Sequence, residues 1–252
     1  MKQTDINKEL VQSFYKRVIG ERDIDYASKI VAEDYIQHNP NIETGRAGLL
    51  KAIEFLKQLP EPKEPSPPQM KMIADGAYVA AHLNVELDGE VKSVVDVFKL
   101  QNGTLVEHWD AVMDISQFNI SHDPGVGSVL NEATSEITLE NKCVIANYSN
   151  EILINRQLSS LSDFISEGYF FHDSKFEKSE GDFMVFQNDR VIEKVHRVLG
   201  EGNHVFTQAT GLINREKAVI YDIYRLKEKK IEEHWSVFQR IPEKMSHNNG
   251  MI

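Results

Sequence analysis

The chain contains an internal repeat of long period. Glu-His-Trp occurs at 107–109 within LVEHWDAV and again at 233–235 within IEEHWSVF, a spacing of 126 residues (233 − 107). The same spacing aligns Asp96 with Asp222 without a gap. A fixed period of this length indicates two copies of one structural unit, which constrains the fold more than any other feature of the sequence.

A second pair of matching segments lies further upstream. YIQH at 35–38 resembles YFFH at 169–172, and here the spacing is 134 residues (172 − 38). The second copy therefore lacks eight residues (134 − 126), and the first copy carries the proline-rich stretch LPEPKEPSPPQ in that interval. A loop of this composition can be shortened without disturbing a hydrophobic core.

The repeat predicts two homologous domains joined by a linker. The first covers residues 1–118 and the second, diverged domain covers residues 136–245. The stretch 119–135 between them is rich in Gly, Ser and Asn, as linkers are, and we expect a loose tail after residue 245.

Both copies show helical periodicity first and strand-like segments afterwards. In the first copy, helices are predicted near 6–20, 25–32 and 46–59, and strands at 69–74, 77–87, 91–100 and 104–115. In the second copy, helices are predicted at 138–155, 160–166 and, weakly, 182–189, and strands at 192–199, 203–213, 217–227 and 230–240. Helices followed by an antiparallel meander indicate an α+β fold.

The charge balance and the cysteine content exclude several classes of function. The chain has 28 basic and 39 acidic residues, a net charge of −11 that repels nucleic-acid phosphates and anionic lipid. We therefore predict no nucleic-acid partner and no membrane partner. Cys143 is the single cysteine, so an internal disulfide is impossible. The polar N-terminus is unlike a targeting peptide, which favours a cytoplasmic location.

Two segments of the first copy resemble a known family. YIQHNP…TGRAGL and VVDVFKLQNGTLVEHWD are similar to the SnoaL-like polyketide cyclase family of the NTF2-like superfamily. The second copy shares the likeness mainly through IYDIYRLKEKKIEEHW. The resemblance implies two tandem NTF2-like cone-shaped barrels, each with N-terminal helices packed on a curved antiparallel sheet around an apolar pocket.

The resemblance also implies a set of site residues and no cofactor. The cyclases use an aspartate near the end of a late strand as general acid/base in an intramolecular aldol closure, and that position matches Asp110. The assisting polar position fourteen residues earlier holds Asp96, where the cyclases have histidine, so the substrate class is open. Polar residues near the second helix of the family match Gln37, His38 and Asn39.

The hairpin register decides whether the acidic residues meet. If residues 101–103 form a three-residue loop, Asp96 lies opposite His108. Asp96, His108 and Asp110 then converge on one face, with Trp109 on the other face. A two-residue loop would shift the register by one and separate them. We favour the three-residue loop, because Asn-Gly after a polar residue suits a type I turn with a bulge.

The candidate catalytic residues each have a structural alternative. Asp96 and His108 recur as Asp222 and His234, so they could be a satisfied buried pair rather than catalytic groups. Asp110 is replaced by Ser236 in the second copy, which favours a chemical role confined to the first copy. Its alternative is a solvated carboxylate at a strand end.

Other residues are assigned to substrate binding with similar alternatives. His38 either lines the pocket or satisfies the backbone at HNP, and His82 is expected to be a polar residue of the pocket wall. Phe14, Phe55 and Phe98 could shape the cavity or pack in the core. The spacing of His38, His82, His108 and Asp96 matches no known zinc motif, so no metal site is predicted.

Three hypotheses for function stay open, and one of them is a purely structural stress protein in which side chains fill both pockets. The first is a cofactor-free acid/base enzyme, a cyclase, isomerase or aldol-type lyase, acting on a small apolar carbonyl compound in the pocket of the first domain. The alternative is a non-catalytic NTF2-like module that binds a lipophilic small molecule or a protein partner. In every case we predict that the two domains pair as an intramolecular pseudo-dimer, and further homo-oligomerisation stays open.

Overall fold

The computed structural model describes residues 1–58, 70–87, 89–115, 134–172 and 190–252. Within these ranges the chain forms two five-stranded sheets, each preceded in sequence by helices. The α+β class and the order of helices and sheet in each half are therefore confirmed. The predicted domain boundary at 118, most of the predicted linker 119–135, the proline-rich stretch and the predicted helix 182–189 lie outside the described residues.

The first half begins with helices and ends with the antiparallel strands. Its elements are α1 (Gln3–Ser13), a π-helical continuation (Phe14–Gly20), α2 (Ile24–Ile30), β1 (Val31–Gln37), α3 (Gly45–Leu56), β2 (Met70–Asp75), β3 (Tyr78–Leu87), β4 (Glu90–Gln101) and β5 (Thr104–Asp114). Helix α2 begins after Asp23, whose side chain accepts a hydrogen bond from the Tyr26 N–H at 2.9 Å. Such a cap satisfies one of the free N–H groups at a helix start.

The second half repeats this order. Its elements are α4 (Ser135–Tyr148), a π-helical continuation (Ser149–Ile154), a 3₁₀ turn (Leu158–Ser160), α5 (Leu161–Phe164), β6 (Ile165–Phe171), β7 (Arg190–Glu201), β8 (His204–Ile213), β9 (Glu216–Lys227) and β10 (Lys230–Arg240). No helix among the described residues is long and apolar enough to cross a membrane.

The two sheets have the same topology. Their strand orders are β1-β5-β4-β3-β2 and β6-β10-β9-β8-β7. The predicted four-stranded meanders are present, but each sheet has a fifth strand, β1 or β6, that pairs in parallel with the last strand of its half. The sequence does not predict these strands, because their partners lie far away along the chain and no local turn signals the pairing.

The repeat spacing relates equivalent positions in the two sheets. The N–H of His38 donates to the carbonyl of His108 at 2.9 Å, and the N–H of His172 donates to the carbonyl of His234 at the same distance. These are the residues that the spacings of 134 and 126 align.

The loop between β4 and β5 differs from the predicted one. Gln101 pairs with Thr104, so the loop has two residues rather than three. These are Asn102 and Gly103, with φ of 51° and 76°. Positive φ at both central residues is the type I′ combination, whose twist matches that of the flanking strands. The predicted three-residue loop is therefore wrong.

A β-bulge next to the loop changes the register again. Leu100 pairs with Leu105, but Lys99 pairs with Glu107, so Val106 is an extra residue on β5. A bulge of this kind places two residues of one strand opposite one residue of the other and bends the strand. The second half has the equivalent irregularity between β9 and β10.

The bulge determines which side chains face each other. Asp96 lies directly opposite Asp110, and Phe98 lies opposite His108. The predicted register, in which Asp96 lies directly opposite His108 on the neighbouring strand, is therefore wrong. All three polar side chains nevertheless share one face, because opposed residues and residues two apart on a strand do so. Trp109 lies on the other face.

Within the described ranges, buried side chains form three hydrophobic clusters. One lies between the helices and the sheet of the first half, and a second lies in the same place in the second half. The third contains residues of both sheets, including Val97 and Trp109 from the first half and Tyr221 and Trp235 from the second. The two sheets thus pack against each other through the faces that carry the tryptophans.

Two basic residues make reciprocal contacts across this interface. The Lys71 ammonium lies 4.3 Å from the centre of the Trp235 ring, and the Arg197 guanidinium lies 4.1 Å from the centre of the Trp109 ring. Both cations sit within the range of a cation–π interaction. The cations are 126 residues apart, and so are the tryptophans.

Acidic residues at the same interface are reciprocal as well. Asp75 accepts a hydrogen bond from the Gly200 N–H at 3.0 Å, and Glu201 accepts one from the Ala74 N–H at 2.9 Å. Each carboxylate also pairs with a lysine of the other half, Asp75 with Lys142 and Glu201 with Lys8. Each of these contacts thus occurs a second time with the two halves exchanged, which is the pattern of a two-fold symmetric interface.

The end of the chain does not form the loose tail that we predicted. The Ser246 N–H donates to the carbonyl of Pro40 at 2.8 Å, and Met251 is buried in the cluster between the sheets. The last residues of the second half therefore pack on the first half.

The interface predicts a measurable role for the Arg197 guanidinium. We expect Arg197→Met to lower the free energy of unfolding by about 1–2 kcal/mol, because the cation–π contacts and the hydrogen bond to the Gln208 side-chain oxygen are lost while the alkyl packing remains. Urea denaturation provides the measurement. Lys217→Met, at an exposed position of β9, is the control and should change the value by less than about 0.5 kcal/mol. Equal effects of the two substitutions would contradict a stabilising contact at Arg197.

Candidate functional site

A buried polar cluster lies on the helix-facing side of the first sheet. Asp96 comes from β4, and His108 and Asp110 come from β5. All three residues are at most 8% exposed. One ligand atom from each lies within 4.8 Å of the others, so among the described residues this group could hold a metal ion. The structure therefore brings together the three residues that we assigned to catalysis.

Gln37, at the end of β1, fixes the orientation of the His108 ring. The Gln37 side-chain oxygen accepts hydrogen bonds from the N–H groups of His38 and Asn39 at 2.9 Å each. The same oxygen lies 2.9 Å from Nδ1 of His108. Because an amide oxygen can only accept, Nδ1 of His108 must carry a hydrogen.

Asp96 is held by two donors. Its Oδ1 lies 2.9 Å from Nε2 of His108, and its Oδ2 accepts a hydrogen bond from the Tyr15 hydroxyl. Burial alone would lower the pKa of His108, but the hydrogen bond and charge of Asp96, together with the charge of Asp110, raise it above its ordinary value. These interactions favour an imidazolium–carboxylate pair with a hydrogen on each ring nitrogen.

Asp110 is the least satisfied acid of the cluster. Its Oδ2 accepts a hydrogen bond from the Asn39 side-chain amide, but its Oδ1 is buried and has no hydrogen-bond partner among the described residues. Burial raises the pKa of Asp110 to about 6, and the charge of Asp96 acts in the same direction, whereas His108 and Asn39 oppose the rise. Near neutral pH this residue is therefore an ionised carboxylate with unusual basicity for an aspartate.

Tyr35, on β1, adds a buried hydroxyl that sequence analysis did not assign to the site. The residue is 1% exposed, and its hydroxyl has no hydrogen-bond partner in the described parts of the chain. Burial, followed by the charges of Asp96 and Asp110, raises its pKa well above the ordinary value, so it stays neutral and can donate. Its presence in both YIQH and YFFH was the available signal.

Aromatic side chains pack beside the cluster. Phe98 stacks on the His108 ring with centroids 4.7 Å apart, and Phe14 and Tyr15 lie 5.3 Å and 6.1 Å from Phe98. Two of the three phenylalanines that we assigned to the pocket are thus buried next to the polar groups. Phe55 is 60% exposed on α3 and lies outside the hydrophobic clusters.

The structure places His38 and His82 away from this cluster. The His38 ring stacks on Trp109 with centroids 4.9 Å apart and lies 3.1 Å from Glu107. His82 is directly opposite Val95, on the face of the sheet that carries Trp109, and bonds to Ser93 at 2.9 Å. Alternation along the strand accounts for His82, since Asp96 follows Val95 and points to the opposite face.

The second half carries a related cluster with a different charge balance. Asp222 lies 2.9 Å from Nε2 of His234 and forms a buried ion pair with Arg190. Burial would raise the pKa of Asp222, but Arg190 and His234 hold it well below its ordinary range. Burial lowers the pKa of His234, so the imidazole is neutral and the guanidinium balances the carboxylate. The carboxylate and the guanidinium thus form a buried ion pair of balanced charge.

A further difference concerns the tyrosines of the two edge strands. Phe171 stands where the first half has Gln37, so the Tyr169 hydroxyl bonds to Nδ1 of His234 at 3.0 Å. In the first half, Gln37 occupies the equivalent ring nitrogen instead. The exchange of one glutamine for one phenylalanine thus explains why the Tyr35 hydroxyl is left without a partner among the described residues.

Residues 11–108 match a family described as SnoaL-like domain. The match lies within the first half and confirms its predicted resemblance. No curated protein is significantly similar to the chain.

Several solved structures are similar to part of the chain. A putative polyketide cyclase from Acidithiobacillus ferrooxidans is 19% identical with a TM-score of 0.36, and the alignment covers 44% of this chain and 91% of that one. A putative ketosteroid isomerase from Kribbella flavida is 12% identical with a TM-score of 0.36, covering 42% and 82%. An NTF2-like protein from Burkholderia xenovorans is 16% identical with a TM-score of 0.37, covering 43% and 90%. Similarity at this level does not bear on substrate or reaction.

The raised pKa of Asp110 predicts an unusual stability effect. Because this carboxyl binds its proton more tightly in the folded state, ionisation between about pH 4 and pH 6 destabilises the protein. We expect Asp110→Asn to raise the free energy of unfolding at pH 8 by about 2–3 kcal/mol and to lose this advantage below about pH 4. Urea denaturation at both pH values measures the difference. Asp34→Asn, at an exposed site on β1, should show no such gain.

The equivalent ion pair of the second half predicts the opposite result. We expect Asp222→Asn to lower the free energy of unfolding by about 3–5 kcal/mol at pH 8, because the buried Arg190 guanidinium loses the charge that balances it. The same denaturation experiment provides the measurement. Equal signs for the Asp110 and Asp222 substitutions would contradict the different charge balance of the two clusters.

Proposed function

We propose that the first half is a cofactor-free acid/base enzyme acting on a small apolar carbonyl compound. The observation that carries this proposal is the buried Asp110 carboxylate, which keeps one oxygen without a partner among the described residues. The SnoaL-like match over residues 11–108 supports a family-level enzyme of this kind.

Asp110 is the proton acceptor in this proposal. A carboxylate in an apolar, desolvated place is a stronger base than one in water, and a pKa near working pH is what general base catalysis requires. Asn39 holds Oδ2, and Oδ1, which has no partner among the described residues, is the oxygen that we propose takes the proton. Ser236 occupies the equivalent position of the second half and cannot act as a base near neutral pH, so we place the chemistry in the first half.

Tyr35 supplies the hydrogen bond that the substrate oxygen needs. Removal of a proton next to a carbonyl moves negative charge onto the carbonyl oxygen, and a buried neutral O–H donor stabilises that charge. The Tyr35 hydroxyl is neutral, and the charges of both aspartates act on it. It is therefore the donor that the cluster offers to an enolate.

Asp96 and His108 act as positioning residues. Both nitrogens of His108 and both oxygens of Asp96 already have partners within the protein. These hydrogen bonds hold both side chains in place within the protein. Their pair places a positive imidazolium near Asp110, which keeps the carboxylate ionised at neutral pH despite its burial.

The proposed reaction begins with one proton transfer. Asp110 takes a proton from the carbon next to the substrate carbonyl, the C–H electron pair forms the C=C bond of the enolate, and the carbonyl π electrons move to oxygen. In an isomerisation, Asp110 returns the proton to a different carbon. In a cyclisation, the enolate carbon attacks the carbon of a second carbonyl in the same molecule, whose π electrons move to its oxygen, and that oxygen takes the proton from Asp110. Both routes balance without a cofactor.

We also propose that the two halves are copies of one ancestral domain that pack as an internal pseudo-dimer. The reciprocal cation–π and carboxylate contacts across the sheets support this proposal. Fusion in one chain keeps the partner at a high effective concentration, so the second half can lose its own chemistry and still support the first.

Hydrogen–deuterium exchange at carbon tests the enzyme without knowledge of the natural substrate. Small apolar ketones and lactones are incubated with the protein in D₂O, and deuterium uptake next to the carbonyl is followed by NMR. We expect Asp110→Asn to slow enzyme-dependent exchange at least about 100-fold, because the base is lost. The wild-type rate should rise with pH through about 6, as Asp110 loses its proton, and then level off.

Ser236→Ala is the matched control in the second half and should retain the wild-type rate. Tyr35→Phe should slow exchange about 10- to 1,000-fold while leaving stability unchanged or raised, because a buried unpaired hydroxyl is removed. Binding of these compounds with no exchange by the wild type would contradict the enzyme and favour the non-catalytic binding module. Unchanged exchange in Asp110→Asn would exclude this residue as the base.

A further inference from the structure

The last residues of the second half lie along the segment that follows β1 in the first half. We name residues 246–251 the C-terminal strap. Asn249 donates its side-chain N–H groups to the carbonyl of Gln37 at 2.9 Å and to the hydroxyl of Thr44 at 3.0 Å. The carbonyl of Gly250 accepts a hydrogen bond from Nδ1 of His38 at 2.9 Å. The strap thus binds the first half by directional polar contacts.

His247 makes the contact nearest to Asn39. Its Nδ1 accepts a hydrogen bond from the Asn249 N–H at 3.2 Å, so in the neutral ring Nε2 carries the hydrogen. Nε2 then donates to the carbonyl of Asn39 at 2.9 Å. The strap fixes the tautomer of its own histidine, and this tautomer is the one that can hold the Asn39 backbone.

The residues that the strap holds by their backbone are the ones that touch the site by their side chains. Gln37 presents its carbonyl to the strap and its side-chain oxygen to His108. Asn39 presents its carbonyl to the strap and its amide to Asp110. A shift of this backbone by 1 Å would remove both side chains from hydrogen-bond distance.

We propose that the C-terminal strap is a positioning element for the cluster of the first half, acting through Gln37 and Asn39. The strap belongs in sequence to the half that lacks the Asp110 equivalent. The second half therefore contributes to the site directly, in addition to covering the Trp109 face of the first sheet. The proposal concerns the geometry around His108 and Asp110 and holds whether or not these groups catalyse a reaction.

Two adjacent asparagines allow a matched test in the full-length protein. Asn249 makes the contacts described above, whereas Asn248 is exposed and has no hydrogen bond among the described residues. The carboxyl carbon of Asp110 is titrated by NMR in wild type, Asn249→Ala and Asn248→Ala. The double variant His247→Ala/Asn249→Ala removes the contact to Asn39 as well. Asn39→Ala, which removes the amide itself, is the positive control.

We expect the strap variants to raise the pKa of Asp110. The Asn39 hydrogen bond lowers this pKa, so its loosening should shift the titration upward by about 0.5–1 unit, as in Asn39→Ala. Asn248→Ala should titrate like wild type. In the Asn39→Ala background, His247→Ala should add no further shift, because His247 holds the Asn39 carbonyl and acts on Asp110 through the Asn39 side chain.

A specific result would overturn the proposal. Amide exchange of residues 246–251 shows whether the double variant has released the strap. If the strap is released while the pKa of Asp110 stays at the wild-type value, the strap is a packing element that does not position the site. A shift of equal size in Asn248→Ala would overturn the proposal as well. Loss of exchange activity alone does not enter this test, so the proposed enzyme and the strap can fail separately.

Discussion

The candidate site depends on one constraint, the burial of two carboxylates directly opposite each other on β4 and β5. Like charges at this distance in a desolvated place cannot both be ionised at low cost. The protein resolves the conflict unequally: Asp96 receives hydrogen bonds from Tyr15 and His108, whereas Asp110 receives one from Asn39 and keeps an oxygen unpaired within the described residues. The two facing aspartates therefore differ: Asp96 is hydrogen-bonded at both oxygens, and burial raises the pKa of Asp110 to about 6.

The second half shows what the same scaffold becomes when that conflict is removed. Serine replaces the second aspartate, and Arg190 balances the one that remains. The equivalent tyrosine bonds to the imidazole because phenylalanine has replaced the glutamine. The first change removes the second carboxylate, and the last gives the tyrosine hydroxyl a hydrogen-bond partner. The second half contributes an interface and the C-terminal strap to the first half. The two halves thus differ in role through a few substitutions on one topology.

Much of this arrangement could be predicted from the sequence, and the failures have physical reasons. The repeat, the helices and the four-stranded meanders follow from periodicity and turn residues, which act locally. Strands β1 and β6 were missed because parallel partners are distant in sequence. The predicted three-residue loop is wrong, because Asn102 and Gly103 form a two-residue loop. A β-bulge at Val106, which no local signal predicts, shifts the register by one more residue, so that Asp96, His108 and Asp110 still lie on one face. Whether His82 and Phe55 belong to the site depends on which face of the strand or helix they occupy. The role of Tyr35 depends on hydrogen bonds between side chains that are distant in sequence.

A direct titration of Asp110 tests the central claim most simply. The carboxyl carbon of this residue is followed by NMR in the intact protein between about pH 3 and pH 9, with exposed Asp34 as an internal reference. Burial opposite Asp96 predicts a midpoint of about 6 for Asp110, well above that of an ordinary aspartate. A midpoint at or below about 4 would show that the carboxylate is hydrated or fully paired, and would contradict both the buried conflict of charges and the base proposed here.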